Sequence, residues 1–116
     1  MKRDLNLMRQ IMLDLEATDN FSSDLSSLYP KKSDEEYFNL AWHLRLLADA
    51  EYIVLGAPTM MGYPNYPVTF ITNKGYEFIR LTKDPTIWER LLPYLVKAGG
   101  IASVGIIQKA IEKLVS

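Results

Sequence analysis

The sequence predicts a mostly helical α+β fold. The form expected is a winged helix (helix, loop, helix, β-hairpin wing) with extra C-terminal helices. Three observations carry this. A Ser-x-x-Glu capping box at Ser33 and Glu36 opens a strong helix. Two short apolar runs, Tyr52 to Leu55 and Val68 to Ile71, follow it on either side of a Gly/Pro-rich stretch. A second helix start, Ile71-Thr72-Asn73-Lys74-Gly75-Tyr76-Glu77-Phe78, comes directly after the second run.

Each element has a local reason. Asp4 can cap a first helix from about Leu5 to Ala17. In it Leu5, Met8, Ile11, Met12 and Leu15 fall on one helical stripe, while Arg9, Asp14 and Glu16 lie off it. Residues 18–32, rich in serine and containing Asn20 and Pro30, read as turn and loop. Phe21, Leu25, Leu28 and Tyr29 are expected to pin this loop to the core, with room for a short strand or one helical turn. From Ser33 the next helix should run to about Ala50, with Asp34, Glu35 and Glu36 in the first turn, where the helix dipole favours acids. Gly56 to Pro67 reads as a loop. Thr72 can cap the following helix, and Gly75 would let its backbone approach the hairpin closely. Asp84-Pro85 restarts a helix, which Pro93 should bend and Gly99-Gly100 should end. Val104, Ile107, Ile111 and Leu114 line a last helix.

At 116 residues the chain reads as one domain, 1–116, with a winged-helix core over 1–83 and a C-terminal helical extension over 84–116. Its 48% hydrophobic residues suffice for a core. A formal net charge of -1 gives no general pull toward nucleic acid or anionic lipid, so such binding would need a local patch. The basic residues are scattered instead: Lys2, Arg3, Arg9, Lys31, Lys32, Lys74, Arg80 and Lys83. With no cysteine, disulfides, thiolate nucleophiles and cysteine-ligated zinc are excluded. No apolar run approaches the roughly 20 residues that span a bilayer. The N-terminus leads into an amphipathic helix rather than a signal-peptide core. A soluble, cytoplasmic protein without a membrane segment is expected.

Several segments, in order, resemble one family: Met1-Lys2-Arg3-Asp4-Leu5, His43-Leu44-Arg45-Leu46-Leu47-Ala48, Thr72 to Phe78, Asp84-Pro85-Thr86-Ile87-Trp88, and Gly99-Gly100. The chain resembles a phage and prophage family of winged-helix proteins catalogued as domain of unknown function 2513. The resemblance implies the fold and a phage-related origin, and no known activity. One position departs from the usual winged-helix pattern. Glycine commonly follows the alanine that ends the helix before the hairpin, and here Glu51 follows Ala50, so either the turn differs or Glu51 is strained.

That helix is where a DNA-binding winged helix reads the major groove. Leu40, Ala41, Leu44, Leu47 and Ala48 form its inner stripe. The opposite side holds Glu35, Phe38, Trp42, Leu46 and Asp49, flanked by Asn39 and Arg45. Between Asp34 and Glu51 there are five acids and one arginine. A helix apolar on both sides needs covering on both. The cover is either the C-terminal helices folding over Phe38, Trp42 and Leu46, or a partner protein. The hairpin loop has no charged residue and carries Met60, Met61, Tyr63 and Tyr66, which either fold back on the domain or make an adaptable apolar contact. The protein-contact candidates are therefore Phe38, Trp42, Leu46, Met60, Met61, Tyr63 and Tyr66, serving a homodimer or a partner protein. The alternative, a small DNA-binding transcriptional regulator, would use Asn39, His43, Arg45 and Lys74.

Catalytic and cofactor chemistry finds no footing. His43 is the sole histidine, and one histidine cannot build a histidine-rich metal site. Helix capping accounts for Asp34-Glu35-Glu36. No glycine-flanked nucleophile turn or phosphate-cradling loop occurs, since Gly99-Gly100 lacks a following Lys-Ser/Thr. A non-enzymatic protein with no cofactor, metal or small-molecule substrate is expected.

Overall fold

The apolar stripe of the first helix founds the core: Leu5, Met8, Ile11, Met12 and Leu15 are all buried in the computed structural model. It describes residues 3–18, 24–57, 59–60, 64–65, 67–97 and 104–115, with only the backbone of 59–60, 64–65, 104 and 115. The chain forms a mostly helical α+β domain in the order α1 (Leu5–Ala17), α2 (Leu25–Leu28), α3 (Asp34–Asp49), β1 (Ile53–Leu55), β2 (Thr59–Met60), β3 (Pro64–Asn65), β4 (Val68–Ile71), α4 (Asn73–Thr82), α5 (Pro85–Lys97) and α6 (Val104–Val115).

Polar side chains open most of these helices. Asp4 accepts from the Leu7 amide at 3.1 Å, and Asp24 from the Ser27 amide at 2.8 Å, which makes α2 a single capped turn in the serine-rich loop. Ser33 and Glu36 complete the capping box in both directions, each bond at 3.1 Å. The bond from the Ser33 amide holds the Glu36 carboxyl below the usual range. Thr72 accepts from Gly75 at 3.1 Å, and Asp84 from Thr86 at 2.8 Å ahead of Pro85. Helix α5 continues through Pro93 to Lys97. Gly99 and Gly100, like Phe21, lie outside the described residues.

The end of α3 answers the question raised by Glu51. Tyr52 donates its amide to Leu47 O at 3.0 Å and Glu51 donates to Ala48 O at 2.9 Å, the bond pair of a Schellman motif. Its left-handed position, φ 67°, is filled by Glu51 instead of glycine. The residue is held there from α4: Thr72 donates its hydroxyl to Glu51 O, and Lys74 reaches the Glu51 carboxylate, both at 2.6 Å.

Strands β1 and β4 pair antiparallel, with Ile53 opposite Ile71, Val54 opposite Phe70 and Leu55 opposite Val68. Thr69 is the extra residue, a bulge on β4. The stretch expected as plain loop contains a second, two-residue hairpin, Thr59 opposite Asn65 and Met60 opposite Pro64. This pairing gives the loop's backbone groups partners that a structureless excursion would leave to water.

The hairpin locks to the helices through Tyr52, Gly75 and a train of rings. A Cβ at Gly75 would overlap the Tyr52 carbonyl oxygen and stand 2.7 Å from Ile71 Cγ2. Tyr52, whose phenol burial pushes up to about 12, stacks on Phe78 at 4.9 Å. Phe78 meets Trp88 edge-on at 6.5 Å. Trp88 donates its indole N–H to Asn6 at 2.7 Å, and the Arg9 guanidinium lies 5.6 Å from the centre of its ring. Arg9 also donates to the Thr82 and Lys83 carbonyls at 2.7 and 2.9 Å, closing the end of α4 from α1. Arg90 on α5 does the same for α6 through Leu114 O at 3.0 Å. Helices α5 and α6 thus pack on α4 and on each other, and among the described residues β3 packs on α3. Among the described residues the C-terminal helices therefore make their main contacts with α4 and with each other, not with α3.

Two substitutions test this frame. Gly75→Ala should destabilise the fold by about 1–3 kcal/mol, because helix, strand and carbonyl must separate to admit one methyl; urea denaturation measures it. A non-glycine residue in the left-handed region costs roughly 1–2 kcal/mol, and an exposed ion pair returns only about 0–1 kcal/mol. Glu51→Gly should therefore raise the thermal midpoint despite losing Lys74.

Candidate functional site

Helix α3 presents three different surfaces. Tyr37, Leu40, Ala41, His43, Leu44 and Leu47 are buried against α1, α2 and β1. Leu46, expected on the outward side, is half-buried and packs against the core cluster. Phe38 remains 42% exposed. Trp42 is half-buried, with its ring edge-on to His43 at 5.2 Å. Strand β3 lies against α3, so the fold brings the helix and the hairpin loop together. Met60 lies in β2, and Met61, Tyr63 and Tyr66 lie outside the described residues.

Of the residues picked for DNA contact, His43 is buried and Arg45 and Lys74 lie in exposed ion pairs. His43 is 0% exposed. Its Nε2 accepts from the Asp4 amide at 2.9 Å, and its Nδ1 faces Asn39 O at 2.7 Å. An amide can only donate and a carbonyl can only accept, so the proton sits on Nδ1 and the ring is neutral. His43 therefore ties the start of α1 to α3 and has no nitrogen left to meet a base or a phosphate. Arg45 pairs with Asp49 at 3.4 Å, and Lys74 pairs with Glu51 at 2.6 Å. The Lys74 bond holds the Glu51 carboxyl below the usual range. Asn39 is half-buried and lines a shallow cleft with Leu7, Tyr29, Lys32, Glu36 and Leu40. That cleft encloses about 190 Å³, against the roughly 300–1,000 Å³ of small-molecule sites.

Other exposed apolar side chains escaped the sequence reading. Val54 and Phe70 stand out from the main hairpin, Tyr76 from α4, Tyr94 and Val96 from α5, and Ile106 from α6. For the first two the signal was available: in a two-stranded ladder with Ile53 and Ile71 turned inward, their neighbours must turn outward. No such rule exposes the helical ones, because each sits beside a core position.

Among the described residues no cluster of three or more metal-ligating side chains forms, and no helix is long and apolar enough to cross a membrane. What these features define is an α+β domain with an apolar candidate surface on α3 and with polar side chains such as His43 hydrogen-bonded inward. The chain belongs to the family described as hypothetical protein (DUF2513), whose model matches residues 2–101. No curated protein and no solved structure matches it.

The structural role of His43 is open to measurement. His43→Leu should cost about 1–3 kcal/mol, because both ring hydrogen bonds are lost and the Asp4 amide is left unpaired. The Asp4 amide should lose protection from hydrogen exchange while amides in α4 keep theirs.

Proposed function

We propose that the chain is a non-enzymatic winged-helix protein of phage or prophage type that acts through protein–protein contacts. The order α1, α2, α3, then the β1–β4 hairpin, is compatible with a winged helix in which α3 holds the reader's place. The phage setting comes from the family resemblance, and the cytoplasmic site of action from the lack of cysteine and of a membrane-spanning apolar run in the sequence. One observation carries the reading most directly. On and beside α3 the cations Arg45 and Lys74 are each bound to a carboxylate of this chain, His43 is buried, and Phe38 is left open.

Sequence-independent DNA binding draws its strength from lysine and arginine releasing counterions at phosphates. A side chain already paired with Asp49 or Glu51 must give up that partner first. Two further carboxylates at the head of α3, Asp34 and Glu35, are exposed and would also repel the polyanion. An exposed phenylalanine has the opposite preference and gains from any apolar partner that removes it from water.

Two measurements on the full chain decide it. Fluorescence titration with random duplex DNA at low salt should show no micromolar binding. Sedimentation should show association with itself or with a partner, and Phe38→Glu should weaken that association while leaving the thermal midpoint in place. Micromolar duplex binding that falls steeply with salt, together with a strict monomer, would replace this reading by the DNA-binding regulator.

A further inference from the structure

Val54 and Phe70 are direct partners across β1 and β4, so their side chains share the outward face of that ladder. They are 38% and 55% exposed, whereas Ile53, on the inward face, is 2% exposed. Two large apolar groups in register on one face form a patch rather than scattered exposure. Its neighbours along the chain are neutral. From Tyr52 to Asn73 the chain has no charged residue. The two charges that bracket this stretch, Glu51 and Lys74, are bonded to each other at 2.6 Å.

We propose that this face of the hairpin docks onto the same face of a second copy of the chain. The inference rests on the protein-contact reading and names the partner. A two-fold contact sets each residue against its own equivalent, so any net charge in the patch would repel itself. Here nothing does, because the strands are uncharged and the flanking pair cancels. The two Phe70 rings would meet near the axis, where aromatic side chains gain from offset or edge-on packing.

The contact is face to face, not edge to edge. Adding a strand to β4 needs a regular row of free backbone groups, and the Thr69 bulge interrupts that row. Two side chains per copy also cover far less than the roughly 800 Å² per partner of a standard interface. The dimer is therefore weak and concentration-dependent, and salt should hardly affect it.

Sedimentation equilibrium on the full chain, up to about millimolar, tests this, with far-ultraviolet circular dichroism confirming that every variant is folded. Wild type should pass from monomer to dimer. Phe70→Lys and Phe70→Glu should each weaken the dimer by about tenfold or more. When the two variants are mixed at low salt, a heterodimer should return, because a two-fold axis brings position 70 against itself. Val54→Lys should weaken association without touching the aromatic ring. A wild-type chain that stays monomeric throughout overturns the proposal, and so does a dimer that Phe70→Lys leaves unchanged. If Phe38→Glu breaks that unchanged dimer, the protein-contact reading stands on α3 and the hairpin face alone is wrong. If no variant alters any association and duplex DNA binds, both fall together.

Discussion

The close approach of α4 to the hairpin, at Gly75 and Tyr52, is the constraint on which the other contacts depend. It fixes three backbone segments within one van der Waals layer: the end of α3, the start of β1 and the first turn of α4. Tyr52 takes part in all of them. Its amide closes α3, its carbonyl accepts from Thr72 at 3.1 Å at the end of the ladder, and its ring stacks on Phe78. Once Phe78 is placed, Trp88 can meet it edge-on, and only then do Asn6 and Arg9 of α1 find their partners. A methyl group at Gly75 would push α4 off the strand and misalign every later contact in that series.

The same economy appears at the helix ends. Backbone groups that a helix cannot satisfy by itself are satisfied here from another element. Arg9 closes α4, Arg90 closes α6, and the ring of His43 receives the Asp4 amide. Tyr37 donates to Tyr29 O at 2.6 Å, and Tyr29 in turn donates to the Asp14 carboxylate. Burial of its ring, with that bond, raises the Tyr29 phenol far above its ordinary range. Polar side chains near the core thus join one helix to another.

Much of this was legible in the residues themselves because the signals are local. Caps act over three residues, so Asp4, Ser33, Thr72 and Asp84 could be read directly. The α1 stripe follows from a period of 3.6, and the strand from Val68 to Ile71 from a short apolar run after a Gly/Pro-rich stretch. Gly75 was readable as a close approach because a glycine in the first turn of a helix is otherwise a poor choice. What escaped is long-range. The bond between His43 and Asp4 spans 39 positions, and nothing near either residue announces the other. Leu46 turned inward, and the C-terminal helices went to α4 rather than α3, because helical spacing gives the faces of one helix but not which neighbour covers them. The inner hairpin of the loop was hidden for a related reason: two-residue strands contain too few positions to show alternation.

The placement of β3 also bears on how α3 can be used. An α-helix with its side chains is about 10–12 Å across, and the major groove of B-DNA is about 12 Å wide. A reader helix fits only if its flanks are clear. Here a strand packs against α3, so entry from that flank would have to displace the hairpin loop as well as the ion pairs of Arg45 and Lys74. A protein surface imposes no such width. It can accept a helix and a strand side by side, and it gains most where apolar groups such as Phe38 stand between carboxylates that remain in water. On the protein-contact reading proposed here, the strand beside α3 would form part of the surface that a flat or shallow partner covers.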